Sequence, residues 1–348
     1  MKHFFFVAVD NFYYNNRIFD IASPYNRDNA WDPYCQLKKN LEGLGYNVNT
    51  YDFLNNHKNY KLLFLDIPKN IKYYYPKNEV LKSYLVLSES DLILKKNWKR
   101  KKHHFFDRVF TWNDEWVDGK TYIKYFWPNM IPENFKSKFA PKNRFCTLIA
   151  GNKTNHDPRE LYSKRIEAIR WFEKNHPEDF DFYGVGWEKG SYKSFFAFLS
   201  RCRLIEKGMT LFEKISIFQR LFRKSFSSYK GKVKSKKEML EKYKFSICYE
   251  NAKDIPGYIT EKIFDCFLAG CVPVYWGAPN VTDFIPENSF IDKRKFKTYE
   301  DLYLFLKSMD EDTYLEYLKN IELFLNSEKG RLFSAENFVE TVIKEIER

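Results

Sequence analysis

The sequence predicts an α/β protein made of two doubly wound domains. Three observations carry that reading. Short, mostly apolar strand signals alternate with helix signals along the chain, the pattern of parallel sheets covered on both faces. A proline-punctuated break interrupts the alternation near residue 130, and a second series starts after it. At 348 residues with 44% hydrophobic content, the chain is long for one core and apolar enough to fill two.

The opening run Met1-Lys2-His3-Phe4-Phe5-Phe6-Val7-Ala8-Val9 reads as a buried first strand, 3–9. It is too short for a secretory leader, and Asp10-Asn11 follows with no small-residue cleavage site. A helix is expected over 33–43, stopped by Gly43 and Gly45. Strands are expected at 46–51, 61–66, 83–88, 108–112 and 122–126. Pro128, Pro132 and Pro141 mark a linker over 127–142. Residues 1–142 therefore form an N-terminal domain and 143–348 a C-terminal one. The second series runs strand 145–150, helix 158–175, strand 181–183, strand 245–249, a helix opening at Thr260, and strand 272–276. The tail, 299–348, is helical. Ligands of such sheets bind beyond the carboxyl ends of the strands, here in the cleft between the domains.

The net charge of +12, 58 basic against 46 acidic residues, is unevenly placed. Residues 188–238 hold 14 Lys/Arg and 4 Asp/Glu, a net of +10. This basic insert, about 187–235, favours an anionic partner. Within it, 210–226 puts Leu211, Ile215, Phe218, Leu221 and Phe222 on one helical face and Lys214, Arg220, Arg223 and Lys224 around it. Such a helix suits peripheral contact with an anionic membrane, or it covers the domain with a solvated basic face. Residues 229–236 read as a flexible basic loop. Nucleic-acid binding is the weaker reading, because the aromatics fall on strand and helix-face positions instead of an exposed platform. No apolar run approaches the roughly 20 residues of a membrane span. The six cysteines, 35, 146, 202, 248, 266 and 271, form no C-x-x-C pair. They read as reduced, packed thiols of a cytoplasmic protein.

The chemistry concentrates in "YENAKDIPGYITEKIFDCFLAGCVPVYWGAPN", residues 249–280. Glu250-Asn251 end a strand, Pro256-Gly257 turn the chain, and Thr260 is a candidate N-cap. Free N–H groups at a helix start attract phosphate, and Lys262 adds a full charge beside them. Glu261 accepts hydrogen bonds only and suits vicinal hydroxyls such as those of ribose. Phosphate plus ribose means a nucleotide. The plainer reading is a helix with an acidic first turn. Asp179-Phe180-Asp181 imitates an Asp-x-Asp metal motif but starts a strand, and it reads as solvated charge. His103-His104 lack a third partner. No metal site and no cofactor are expected. Tyr13, Tyr14, Trp31 and Trp112 could stack on a sugar, although aromatic residues are more often core.

The stretch "KFSICYENAKDIPGYITEKIFDCFLAGCVPVYWGAPN", continued by "FIPENSFID" at 284–292, resembles the signature of the α-1,3-fucosyltransferases of glycosyltransferase family 10, in their bacterial type. The resemblance is close over 237–292 and thinner back to residue 83. It implies a GT-B fold, two Rossmann-like domains facing a cleft, with GDP-fucose held by the C-terminal one. It implies that Glu261 holds the ribose and that Lys262, Tyr258 and Asn251 face the diphosphate. An arginine of the domain's first helix completes the phosphate site. The run "RIEAIRWF" favours Arg165 over Arg159. The catalytic base falls on Glu89 in "SYLVLSESDLILKKNW", with Asp91 as its neighbour. The mechanism implied is a single displacement that inverts configuration. The acceptor implied is a hydroxyl of a glycan, α-1,3 on GlcNAc or Glc of a lipopolysaccharide or other lipid-linked oligosaccharide. Its site would be cytoplasmic, peripheral to the inner membrane face. Another nucleotide sugar on the same fold is the alternative.

Overall fold

The structure is a computed structural model that describes residues 3–74, 79–137, 141–187 and 226–348. The first sheet takes β1 (His3–Ala8), β2 (Tyr46–Thr50), β3 (Tyr60–Leu65), β4 (Val80–Val86), β5 (Arg108–Thr111) and β6 (Tyr122–Lys124). Their spatial order is β2-β1-β3-β4-β5-β6, and every pairing is parallel. The second sheet takes β7 (Arg144–Ile149), β8 (Phe180–Tyr183), β9 (Tyr243–Tyr249), β10 (Val272–Trp276) and β11 (Ile291–Asp292) in the order β11-β10-β9-β7-β8, again parallel. Two parallel α/β layers are the predicted class, and each strand run of the sequence lands within a few residues of a strand.

The helices differ from the expected alternation. α1 (Asp32–Gly43) joins β1 to β2. Among the described residues, the later crossovers of the first sheet carry only 3-10 turns, such as Tyr51–Phe53, Lys95–Trp98 and Asp114–Trp116. Asn55, Asn59 and Asp66 take positive φ in these links, and a left-handed residue ends any nascent helix. The second sheet follows the helical rule better. α2 (Tyr162–Asn175) links β7 to β8, and α3 (Lys236–Leu240) leads into β9. α4 (Glu261–Leu268) crosses from β9 to β10, and α5 (Tyr299–Ser308) and α6 (Glu311–Leu325) close the far side.

The last helix, α7 (Ala335–Glu347), leaves the second domain altogether. Its Phe338, Val339, Val342 and Ile346 pack with Leu37, Leu41, Val48 and Tyr84 in the N-terminal core. Glu345 pairs with Arg108 at 3.0 Å, and Tyr46 donates to Glu347 at 2.7 Å. A boundary at residue 142 is therefore crossed twice. The proline linker and the return segment run side by side. Asn129 donates to the Phe333 carbonyl at 2.8 Å, and Ala335 donates back to Asn129 at 2.9 Å.

Two other expectations change. Residues 228–231 are paired to the edge of β8 and are not a loose loop. Phe182 N–H meets Ser228 O at 2.9 Å, and Gly184 N–H meets Gly231 O at 3.0 Å. Buried Ser228 and Val233 pin the segment. Asp179 and Asp181 are not solvated charge either. Asp181 is buried and accepts from Tyr243 at 2.8 Å, while Asp179 accepts from Tyr303 at 2.7 Å and pairs with Lys307 at 2.8 Å. Both stand at the amino end of β8, opposite the ligand-binding end. The amphipathic helix expected over 210–226 lies outside the described residues, but for Phe226, as does most of the insert. Cys35, Cys146, Cys248, Cys266 and Cys271 are buried free thiols. No helix among the described residues is long and apolar enough to cross a membrane.

Candidate functional site

A cleft of about 1570 Å³ opens between the carboxyl ends of the two sheets. Glu89, Asp66, Tyr13 and Tyr14 line it from the N-terminal side, and Glu261, Asp265 and Lys236 from the C-terminal side.

The C-terminal wall is built from the end of β9. Glu250, the next residue, is fully buried. Its carboxylate accepts from the N–H and the hydroxyl of Thr260, both at 2.8 Å, and meets Lys262 Nζ at 3.1 Å. Thr260 stands at the N-cap position, yet it makes no side-chain cap because its hydroxyl donates to Glu250. Glu250 is thus the clasp that closes the 251–259 turn, and not an acid facing the cleft. Lys262 Nζ also donates to Thr260 Oγ1 at 2.9 Å and to Glu261 at 3.4 Å. Burial disfavours its charge, but Glu250 and Glu261 outweigh that and push its pKa well above an ordinary lysine's.

Arg165 projects from α2 beneath the same turn and is 5% exposed. Its Nη2 donates to Tyr249 O at 2.7 Å, Glu250 O at 2.8 Å and Asn251 Oδ1 at 3.2 Å. Asn251 Nδ2 reaches the Tyr258 hydroxyl at 3.4 Å. Arg165, Asn251, Tyr258, Lys262 and Glu261 thus form one connected cluster. Among them only Glu261 lines the cleft, and the other four stand behind it. Burial would raise the Glu261 pKa, but Lys262 and Lys236 hold it down at about 2. Lys236 clasps Asp265 at 2.8 Å, one helical turn beyond Glu261. Burial lifts Asp265 to about 7 despite that contact.

Across the cleft, Glu89 follows β4 by three residues. It is half-buried, and its carboxylate has no hydrogen bond or ion pair within the described residues. Burial raises its pKa, with Lys153 and Lys262 pulling the other way and Glu261 adding to the rise. Its neighbour Asp91 is engaged: Arg159 Nη2 meets it at 2.5 Å and Asp157 at 2.8 Å. The two members of each pair of alternatives are placed differently. Arg159 spans the two domains through Asp91, and Arg165 joins the motif cluster. Asp91 is neutralised, and Glu89 faces the cleft.

The turn at Pro256-Gly257 plugs into the N-terminal domain. Ala252, Ile255 and Tyr258 belong to that domain's core, and the Tyr258 ring lies 4.6 Å from that of Trp112. Gly257 has φ +78, and a Cβ there would sit 2.2 Å from Trp112 O. Its N–H donates to Asn280 at 2.9 Å, Asn280 donates to Asp114 at 2.9 Å, and Lys124 pairs with Asp114 at 2.6 Å.

Residues 191–329 match the C-terminal domain of glycosyltransferase family 10 (fucosyltransferase). Over this stretch the chain is similar to that family. An α-(1,3)-fucosyltransferase of Helicobacter pylori is 37% identical over 108 residues, 30% of this chain and 22% of its own length. An α-(1,4)-fucosyltransferase of Arabidopsis thaliana is 36% identical over 110 residues, 30% of this chain and 27% of its own. The chain spans about a quarter of the length of these curated relatives. A crystal structure of an α1,3-fucosyltransferase superposes with a TM-score of 0.51 at 16% identity, covering 100% of this chain and 91% of that one. TarM of Staphylococcus aureus superposes with a TM-score of 0.52 at 13% identity, covering 84% and 56%. At such identities the agreement concerns the fold, which is GT-B.

The stretch similar to family 10 holds Asn251, Tyr258, Glu261 and Lys262, Arg165 joins them from outside it, and the fold sets Glu89 across the cleft. Sequence reasoning missed Lys236 and Asp265, because their pairing joins α3 to α4 across a turn of the fold. It missed Asp66, whose neighbours come from a different strand. Among the aromatic residues, Trp112 is core at 1% exposure, while Tyr13, Tyr14 and the largely buried Trp31 line the cleft. Tyr73, also on the wall, is exposed. His103 is buried, between the Tyr122 hydroxyl at 2.9 Å and Asn97 O at 2.7 Å, so its ring nitrogens are occupied.

Proposed function

We propose that the chain is an inverting fucosyltransferase that moves fucose from GDP-fucose to a hydroxyl of a glycan acceptor. The observation that carries this reading is Glu89, a half-buried carboxylate without a partner among the described residues, which opens onto the same cleft as Glu261 of the motif. In this reading Glu261 accepts the ribose hydroxyls. Lys262 and Arg165, beside Asn251 and Tyr258, supply positive charge for the diphosphate, whose negative charge grows as it leaves. The acceptor oxygen attacks the anomeric carbon from the face opposite GDP. The C–O bond to GDP breaks with its electron pair on the diphosphate, and the acceptor proton passes to Glu89. Configuration inverts. The linkage proposed is α-1,3 on GlcNAc or Glc of a lipopolysaccharide or related lipid-linked glycan. The enzyme works without a metal at the cytoplasmic face of a membrane, which 210–226 contacts.

A polyol acceptor suits the N-terminal wall, where Asp10, Asn11, Asn26, Asn70, Tyr13 and Tyr73 offer acceptors, amides and ring faces. Incubation with GDP-fucose, GDP-mannose and UDP-sugars against a glycan panel, read by mass spectrometry, tests the reading. Fucose addition that persists in EDTA and is lost in Glu89→Gln is expected. Transfer from a UDP-sugar instead would keep the fold and replace the donor. A thermal shift with a DNA oligomer and none with GDP would sink the enzyme reading.

A further inference from the structure

Asp66 stands one residue past β3 with φ +62, a region that non-glycine residues seldom enter. That backbone turns its carboxylate toward the end of β4. Oδ1 accepts from Ser88 N–H at 2.7 Å, from Glu89 N–H at 3.3 Å and from Asn97 Nδ2 at 2.6 Å. Asn97 is fully buried and accepts in turn from Ile67 N–H at 2.9 Å. The Trp98 indole donates to Glu89 O at 2.9 Å. The peptide groups on both sides of Glu89 are thus held, one by Asp66 and one by Trp98. Oδ2 of Asp66 has no partner among the described residues, and Asp66 lines the cleft together with Glu89.

Holding a turn does not require a charge, since an asparagine oxygen accepts the same N–H groups. A carboxylate here is costly. Burial lifts Asp66 to about 6, and the nearby Glu89 carboxylate adds to the rise. The charged and titratable groups around Asp66 are Glu89 beyond β4, Lys96 from the 3-10 turn after it, Tyr13 beyond β1, Tyr34 of α1 and Tyr125 beyond β6. Lysine 96 is the cation in this group, and its own ammonium is disfavoured by burial.

We propose that Asp66 is a positioning residue for the base: it aims Glu89 by holding the N–H groups of Ser88 and Glu89 at the end of β4. The role of Glu89 as base rests on the function proposed above. The test uses the full chain and the slow release of fucose from GDP-fucose to water, which needs no known acceptor. Asp66→Asn keeps an oxygen for the amides and removes the charge, and its turnover and GDP thermal shift stay near those of the wild type. Asp66→Ala frees the turn. Its turnover drops about tenfold or more with the GDP thermal shift retained, and amide hydrogen exchange over 87–90 accelerates. Unchanged turnover or unchanged exchange in Asp66→Ala overturns the proposal, as does an Asp66→Asn variant as slow as Asp66→Ala. If the wild type neither binds GDP nor releases fucose, the proposed function fails instead, and the exchange measurement alone decides whether Asp66 holds the turn.

Discussion

At the scale of single residues, the site depends on which carboxylates are paired. Glu250 and Asp91 are engaged by Lys262 and Arg159, whereas Glu89 has no partner within the described residues. Glu89→Gln removes the proton acceptor and keeps the shape. Loss of transfer by about 10²- to 10⁴-fold is expected, with GDP affinity by calorimetry unchanged. Glu250→Gln leaves Lys262 without its buried partner and should cost about 3–5 kcal/mol in a urea melt, with weakened GDP binding. Asp66 carries a stability prediction with a definite sign. Its folded pKa, about 6, lies above the ordinary 3.8, so the native state binds the extra proton between those values. Stability from this group is fully present below pH 4 and is lost as pH rises through 6, up to about 3 kcal/mol. Asp66→Asn should therefore melt above the wild type at pH 7.5 and not at pH 4. Glu250 was legible as the carboxylate that ends a strand of the motif. Asp66 was not. It is the last residue of an ordinary apolar run, and only the left-handed turn and the neighbouring strand give it work.

Among the elements, the 251–259 turn does two tasks. One side supports the cluster of Arg165, Lys262 and Glu261, and the other plugs the N-terminal core beside Trp112. Gly257 makes that approach possible. Gly257→Ala places a Cβ against Trp112 O in a backbone region that alanine enters at a cost, and about 1–3 kcal/mol of destabilisation is expected. Small-angle scattering should show a more open molecule if the plug is displaced. The strands were legible because buried parallel strands are short apolar runs that need no context. The crossovers of the first sheet were not. Doubly wound sheets bring helices to mind, but the left-handed Asn55, Asn59 and Asp66 leave room only for 3-10 turns. The motif was legible as a polar cluster because its residues fall within one turn of the chain. That Asn251, Tyr258 and Lys262 stand behind the cleft wall, with Arg165 of α2 among them, is a matter of packing that a linear pattern does not display.

For the whole molecule, two domains share two crossings and one apolar plug, with Arg159–Asp91 and Lys124–Asp114–Asn280 as polar contacts between them. A helical tail over 299–348 was legible, but that reading does not name the surface its last helix covers. α7 covers the first domain. Its Phe338, Val339, Val342 and Ile346 each bury an apolar side chain, worth about 1.5–3 kcal/mol apiece. Residues 1–142 expressed alone should therefore lack cooperative melting by circular dichroism, and adding a peptide of residues 332–348 should not restore it while the 252–258 plug is missing. This has a consequence for how the protein is made. As the chain emerges from the ribosome, the first sheet forms with its core unfinished, and it stays so until residue 346 has appeared. The second domain must mature first, out of its order of synthesis. Until then the earlier half exposes apolar surface, and that interval is where a chaperone would have its work.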